Sequence, residues 1–274
     1  MIQRNLALPA LALLIVLAAV SEAQPTPPID QAEVARRLLT GNGYERSGAL
    51  VSVQQIGREN LNPQLRSALI TALEREGKLV AELLARRARG DWVTELENPE
   101  FIAQLAKVVA TFRDPRAIPA LAGALGSSPQ AIHALPEFGE LAAPAVLQVL
   151  GTTASGSVED DAMTTLRFMA EGVGGPLTAL TRDHIQQVAR KRLTTPQNSI
   201  VAVWKAIDLA VALDDPELRR IVQSLASNRN AVIALRDTDA EMITRTQRLA
   251  AERLAGVPPR PRHVSVEEYS RRSK

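Results

Sequence analysis

Residues 114–125 read DPRAIPALAGAL. Part of this stretch returns 25 residues downstream: Ala117-x-Pro119-Ala120-x4-Leu125 matches Ala142-x-Pro144-Ala145-x4-Leu150. A fainter copy, Gly175-Pro176-Leu177-x-Ala179-Leu180, follows after a further 32 residues. A period this short marks stacked helical hairpins. One hairpin cannot bury its apolar face alone, so each is completed by its neighbours.

The same device recurs to either side. A capping residue precedes proline at Asn62-Pro63, Asn98-Pro99, Asp114-Pro115, Ser128-Pro129, Thr195-Pro196 and Asp215-Pro216. The cap's side chain accepts from the free N–H groups of a first helical turn, and proline at the first position gives up an N–H that had no partner. Apolar residues after these starts keep helical spacing. Leu65, Ala68, Leu69, Ala72 and Leu73 line one face, as do Phe101, Leu105, Val108, Val109 and Phe112. Ile200, Val203, Trp204, Ile207 and Val211 form a longer stripe, in which Trp204 reads as core. The expected hairpins pair 99–112 with 115–125, 129–138 with 141–150, 158–170 with 176–193, and 196–213 with 216–226. Upstream, 31–39, 48–56, 63–76 and 78–89 supply about two more, and 240–254 closes the C-terminal end.

The repeated stretch resembles the short HEAT-like repeats first noted in phycobilisome lyases, although the copies at Pro144 and Pro176 lack the Asp-Pro pair. The resemblance covers residues 99–226 best. It implies an all-α, right-handed α-solenoid of stacked antiparallel helix pairs, a HEAT/armadillo-like superhelix, over residues 29–256. It further implies a concave row of helices offered to a protein, peptide or elongated ligand. The motif is structural and carries no partner identity.

Composition agrees with a helical chain. Of 274 residues 46% are hydrophobic, but only 3% are aromatic, and Ala and Leu predominate over strand-forming runs. Residues 1–23 read as a signal peptide: Arg4, an uncharged run from Leu6 to Val20, then Ser21-Glu22-Ala23 as a cleavage site. The run of 15 is shorter than the roughly 20 residues that span a bilayer. The expected location is therefore periplasmic or extracellular. Residues 24–28 form a Pro-rich leader, and residues 257–274 a basic, Pro-containing flexible tail. The chain has no cysteine, which removes disulfides, thiolate catalysis and Cys-ligated zinc. Net charge is +2, of which the tail from residue 260 carries +3, so the body is near neutral. That balance disfavours a nucleic-acid groove.

No cluster spells out a chemistry. His133 and Glu137 stand at i, i+4 with Pro136 between them, and they read as packed or solvated polar residues rather than a metal pair. Asp183-His184 reads as a surface pair, and Glu159, Asp160 and Asp161 as acids complementing a helix N-terminus. Gly172-Val173-Gly174-Gly175 lacks the Lys-Ser/Thr of a phosphate loop, and no serine sits in a nucleophile elbow. No catalytic, cofactor or metal residue is therefore expected. Basic clusters lie at Arg86-Arg87-x-Arg89, Arg190-Lys191-Arg192 and Arg219-Arg220. Charged helix faces account for them; the functional alternative is an anionic partner or membrane surface, met through these clusters or the tail. Trp92 follows Arg89-Gly90-Asp91, a stretch that reads as a loop, and reads equally as a binding anchor or as half-buried packing. The partner-facing set is thus Arg86, Arg87, Arg89, Trp92, Arg116, Arg219 and Arg220. The leading expectation is a non-enzymatic protein- or peptide-binding scaffold. Two alternatives stand beside it: an enzyme of the superhelical class, lyase or glycosylase, which the signal peptide disfavours, and an adaptor tethered by an uncleaved N-terminal anchor.

Overall fold

The computed structural model describes residues 28–91, 99–152, 156–266 and 268. Among them are thirteen α-helices and no strand. In chain order these are α1 (Gln31–Thr40), α2 (Gly43–Ile56), α3 (Pro63–Ala88), α4 (Pro99–Ala110), α5 (Ile118–Gly123), α6 (Pro129–Glu137) and α7 (Ala143–Thr152). They continue as α8 (Gly156–Ala170), α9 (Ala179–Thr194), α10 (Ile200–Leu213), α11 (Pro216–Ser227), α12 (Arg229–Leu235) and α13 (Ala240–Leu254). Residues 31–274 form one unit and residues 1–30 another; every described helix belongs to the larger. The expected signal peptide, residues 1–23, lies outside the described residues, as do Asn98 and all of the leader except Pro28.

Three of the Pro-led starts carry the expected caps. Asn62 Oδ1 accepts from the Leu65 N–H (2.8 Å), Asp114 Oδ1 from Arg116 (2.9 Å), and Asp215 Oδ1 from Glu217 and Leu218 (3.0 and 2.9 Å). Ser128 precedes α6, but its hydroxyl donates to Gln130 Oε1 instead of capping. Thr195-Pro196 starts no helix. Its neighbour Gln197 is buried and donates its N–H to the Leu235 carbonyl (2.7 Å), which ties the loop to α12, and α10 begins only after a new cap at Ser199. The helix expected from Pro176 begins instead after Thr178. There the Glu140 carboxylate accepts from the Thr178 N–H (3.0 Å) and from the Thr178 and Thr181 hydroxyls.

Residues 63–76 and 78–89 are one helix, α3, which runs straight through Gly77. The glycine is there for packing: a Cβ on Gly77 would meet the Gly123 backbone of α5 at 3.1 Å. A second glycine contact joins the turns after α6 and α8. Gly174 has φ +79°, and a Cβ there would lie 2.1 Å from the Pro136 carbonyl oxygen.

Helices pack on their chain neighbours and on the next helix but one. The series α1–α3–α5–α7 runs in sequential contact, as does α2–α4–α6–α8–α10, and α9, α11 and α13 do the same at the C-terminal end. Between the series lie fully buried Leu38, Leu69, Leu105, Leu121, Leu135 and Leu166, each worth about 1.5–3 kcal/mol of burial. Alanines such as Ala106, Ala120, Ala162 and Ala206 keep the axes close.

After α13 the chain turns back across the body. The stretch read from sequence as a flexible tail is described over residues 257–266 and at 268, and residues 261–266 are seated against α6 and α8. The Arg167 guanidinium donates to the Pro261 carbonyl (2.5 Å), the Val264 N–H to His133 Nδ1 (3.2 Å) and the Val266 N–H to Glu137 Oε1 (2.9 Å). Val266 is 5% exposed. In the sequence Val264 and Val266 alternate briefly, a pattern that also reads as a strand added to a partner; it names no surface for the contact.

Candidate functional site

α10 is apolar on nearly every face, with Ala202, Val203, Ala206, Ile207, Leu209 and Ala210 buried. Two charges interrupt it, Lys205 and Asp208, and both look onto a cleft of about 320 Å³ between α10, α13 and residues 257–260. Asp208 is buried, and Arg253 of α13 donates to it at 2.6 Å. Burial pushes the Asp208 carboxyl above its ordinary range, and the Arg253 hydrogen bond opposes that push. Arg253 also reaches the Val257 carbonyl (3.3 Å), which fixes where the chain leaves α13.

Trp204 forms an apolar wall of the cleft and is half-buried rather than a core residue. Its indole N–H donates to Thr246 Oγ1 (2.8 Å), and that hydroxyl donates to the Met242 carbonyl (2.8 Å). The Arg245 guanidinium lies 4.6 Å over the indole ring. Among the described residues, neither Lys205 nor Arg260, both on the cleft, makes a hydrogen bond or ion pair. Lys205 is felt electrostatically by Asp160 and Asp161 of α8 and by Asp208. Burial pushes Asp160 up to about 6 despite Lys205. Asp161 is also pushed up by burial, and an N–H from Gly126 (2.8 Å) opposes that. The arrangement is a half-apolar recess with Lys205 and Arg260 at its walls, neither in direct contact with a carboxylate, suited to holding an anionic group beside a stacked or aliphatic one.

Each described side chain of the partner-facing set expected from sequence is engaged by a near neighbour in the chain. Arg86 and Arg89 sit at and just past the end of α3 and face Asp91 at 3.6 and 3.8 Å. Arg116 forks onto Asp114 and holds that carboxyl below its ordinary range, so it serves the helix start it belongs to. Arg219 pairs with Asp214 (2.7 Å), and Arg220 donates to the Pro216 carbonyl (3.3 Å). Trp92 and the Arg87 side chain lie outside the described residues. Lys205, Asp208 and Arg253 were missed. The available signal was two charges, Lys205 and Asp208, three residues apart in an otherwise apolar helix.

Among the described residues no group of three His, Asp or Glu could hold a metal ion, and no helix is long and apolar enough to cross a membrane. Over the described residues the chain is all-helical, and its helices pack in sequential layers. It matches no protein-family model and no curated protein.

Proposed function

We propose that the chain is an exported, non-enzymatic binding scaffold: a right-handed α-solenoid of HEAT-like hairpins that holds a protein or peptide outside the cytoplasm. Contacts between each helix and the next but one support the solenoid, since stacked hairpins make that series of neighbours. The observation that carries the binding role is the cleft between α10 and α13, where Trp204 stands beside the unpaired Lys205 and Arg260. Glu252 faces Arg248 and Asp208 is paired to Arg253, so the cations are the groups left to recruit a ligand. Such a recess favours a peptide segment bearing carboxylates, whether side chains or a chain terminus.

The test is crosslinked affinity capture from the envelope, using chain that has passed through export, compared with a Lys205→Glu variant. A recurrent protein partner that is lost from the variant supports the reading. Equal capture by both forms sinks the cleft as the docking surface. Purified material carrying a small molecule and no protein would favour the enzyme alternative. Sequencing the mature N-terminus separates export from tethering: a start at Gln24 fits cleavage, and intact Met1 fits an anchored adaptor.

A further inference from the structure

Arg260 reaches the cleft from a stretch of chain that is tied at its two ends. Val257, Pro258 and Arg260 supply one wall of the recess. At the upstream end the tie is to α13. The Val257 N–H donates to the Glu252 carbonyl (2.9 Å), and Arg253 donates to the Val257 carbonyl (3.3 Å). Pro258 and Pro259, which follow, have no N–H to give. The downstream tie lies outside the cleft, on α6 and α8. Arg167 donates to the Pro261 carbonyl (2.5 Å), and the Val264 and Val266 N–H groups donate to His133 Nδ1 (3.2 Å) and Glu137 Oε1 (2.9 Å). The His263 ring packs edge-on against Phe168 (5.2 Å). Val266, 5% exposed, opens a helical turn in which the Ser265 hydroxyl accepts from the Glu268 N–H (3.2 Å). Pro258, Pro259 and Pro261 bracket Arg260, and each fixes its own φ near about −65°. With so few soft torsions, a displacement of Pro261 is passed to Arg260 rather than absorbed. Arg167 also acts on the cleft directly, since its charge helps to hold down the Asp208 carboxyl.

We propose that residues 257–266 are a strap on the cleft, that Arg260 is the strap's contribution to ligand choice, and that Arg167, His133, Glu137 and Val266 position it from outside. The ligand is the carboxylate-bearing peptide segment already argued for, met by Lys205 and Arg260 together. With residues 261–266 seated, the recess has both cations at its walls. With them lifted, Lys205 stays on α10 and the wall at 257–260 is lost. A ligand held by Arg260 favours the seated strap, and the seated strap favours the ligand by the same factor. Whatever lifts residues 261–266 therefore weakens binding in the cleft without touching it. The strap rests on the cleft being the binding recess, but the residues that position it on α6 and α8 do not line that recess.

The probe is iodide, an anionic quencher of tryptophan emission, compared with neutral acrylamide at constant ionic strength. The full-length chain carries Trp92→Phe, which leaves Trp204 as its one tryptophan. Loss of a unit charge about 6 Å away lowers the local concentration of a monovalent anion by about twofold after screening. Arg260→Gln should therefore lower the ratio of iodide to acrylamide quenching by about twofold, and Lys205→Gln should act likewise. Val264→Pro with Val266→Asn removes one N–H donor and the buried side chain at unchanged charge, and it should lower the ratio as far as Arg260→Gln does. A drop for Lys205→Gln and Arg260→Gln but not for the strap pair overturns the strap and leaves the cleft standing. No drop for Arg260→Gln overturns the strap as well, because its arginine is then not at the wall. No drop for any of the three sinks the recess as an anion site together with the strap. If the strap pair loses helix by circular dichroism, Val266→Gly alone takes its place. Loss of helix there too makes residues 261–266 part of the core and overturns the proposal.

Discussion

Asp208 and Arg253 form the most enclosed ion pair of the cleft, with side chains 8% and 11% exposed. Removing one partner of such a pair leaves an uncompensated buried charge. Arg253→Met should therefore cost about 3 kcal/mol in urea unfolding at neutral pH, and Asp208→Leu in the same chain should restore much of it. Asp160 behaves in the opposite sense. Its carboxyl is raised from 3.8 to about 6, so the folded state holds more protons than the unfolded chain across that window. Its contribution is fully present below pH 3.8 and is lost as pH rises through 6. Asp160→Asn should stabilise the protein at pH 7 and not at pH 4, and solvent screening at a half-buried site holds the gain to on the order of 1 kcal/mol. The local chemistry of Asn62, Asp114 and Asp215 was legible in the sequence, because a cap acts on its own next turn. The roles of His133 and Glu137 were not, because their partners come from residues 264 and 266.

At the scale of elements, glycine misled and then explained. Gly77 reads as a break between two helices, yet α3 continues because α5 crosses it backbone to backbone at Gly123. Gly77→Ala would gain up to about 1 kcal/mol of helix propensity. The new methyl would sit 3.1 Å from backbone that cannot swing aside. The net expectation is a loss of about 1–2 kcal/mol, read as a lowered midpoint in thermal unfolding. The contact between α6 and residues 263–266 carries its own pH dependence. Burial, with the nearby His263 and Arg167, lowers His133 from 6.5 to about 4. The folded state thus holds fewer protons than the unfolded one in that interval. Stability from this group is full above pH 6.5 and is lost as pH falls toward 4. Glu137, with Arg113 at 3.7 Å, shares the site, and a protonated His133 Nδ1 can no longer accept from Val264. Corrected for intrinsic rates, the Val264 amide should exchange faster at pH 4.5 than at pH 7.5, while amides in the middle of α8 keep their protection.

For the molecule as a whole, the sequence disclosed an all-helical chain and a repeat only where the copies stand close, over residues 114–150. Beyond that, irregular joints blur the period: the buried Gln197 loop, the Glu140-capped start of α9, and the short α12 that no Pro-led start announces. Those joints are set by contacts between distant residues, which leave no local signature. A chain whose helices touch mainly their near neighbours in order should also come apart in order. Native-state hydrogen exchange should find α1 and α2, whose packing is on one another and on α3 and α4, opening at lower free energy than α8 and α10. Uniform protection throughout would mark the protein as a single cooperative block.

The bonds from residues 263–266 to α6 span 129 to 131 positions of chain, whereas most others close within one or two helices. Nearly everything else can therefore assemble during synthesis, helix upon helix, as the polypeptide emerges. The Arg167 groove cannot close until residues 261–266 have been made, so every growing chain passes through a stage in which its helices are stacked and that groove is still vacant. Any factor that meets the α6–α8 face has that interval in which to do so before residues 261–266 take the place.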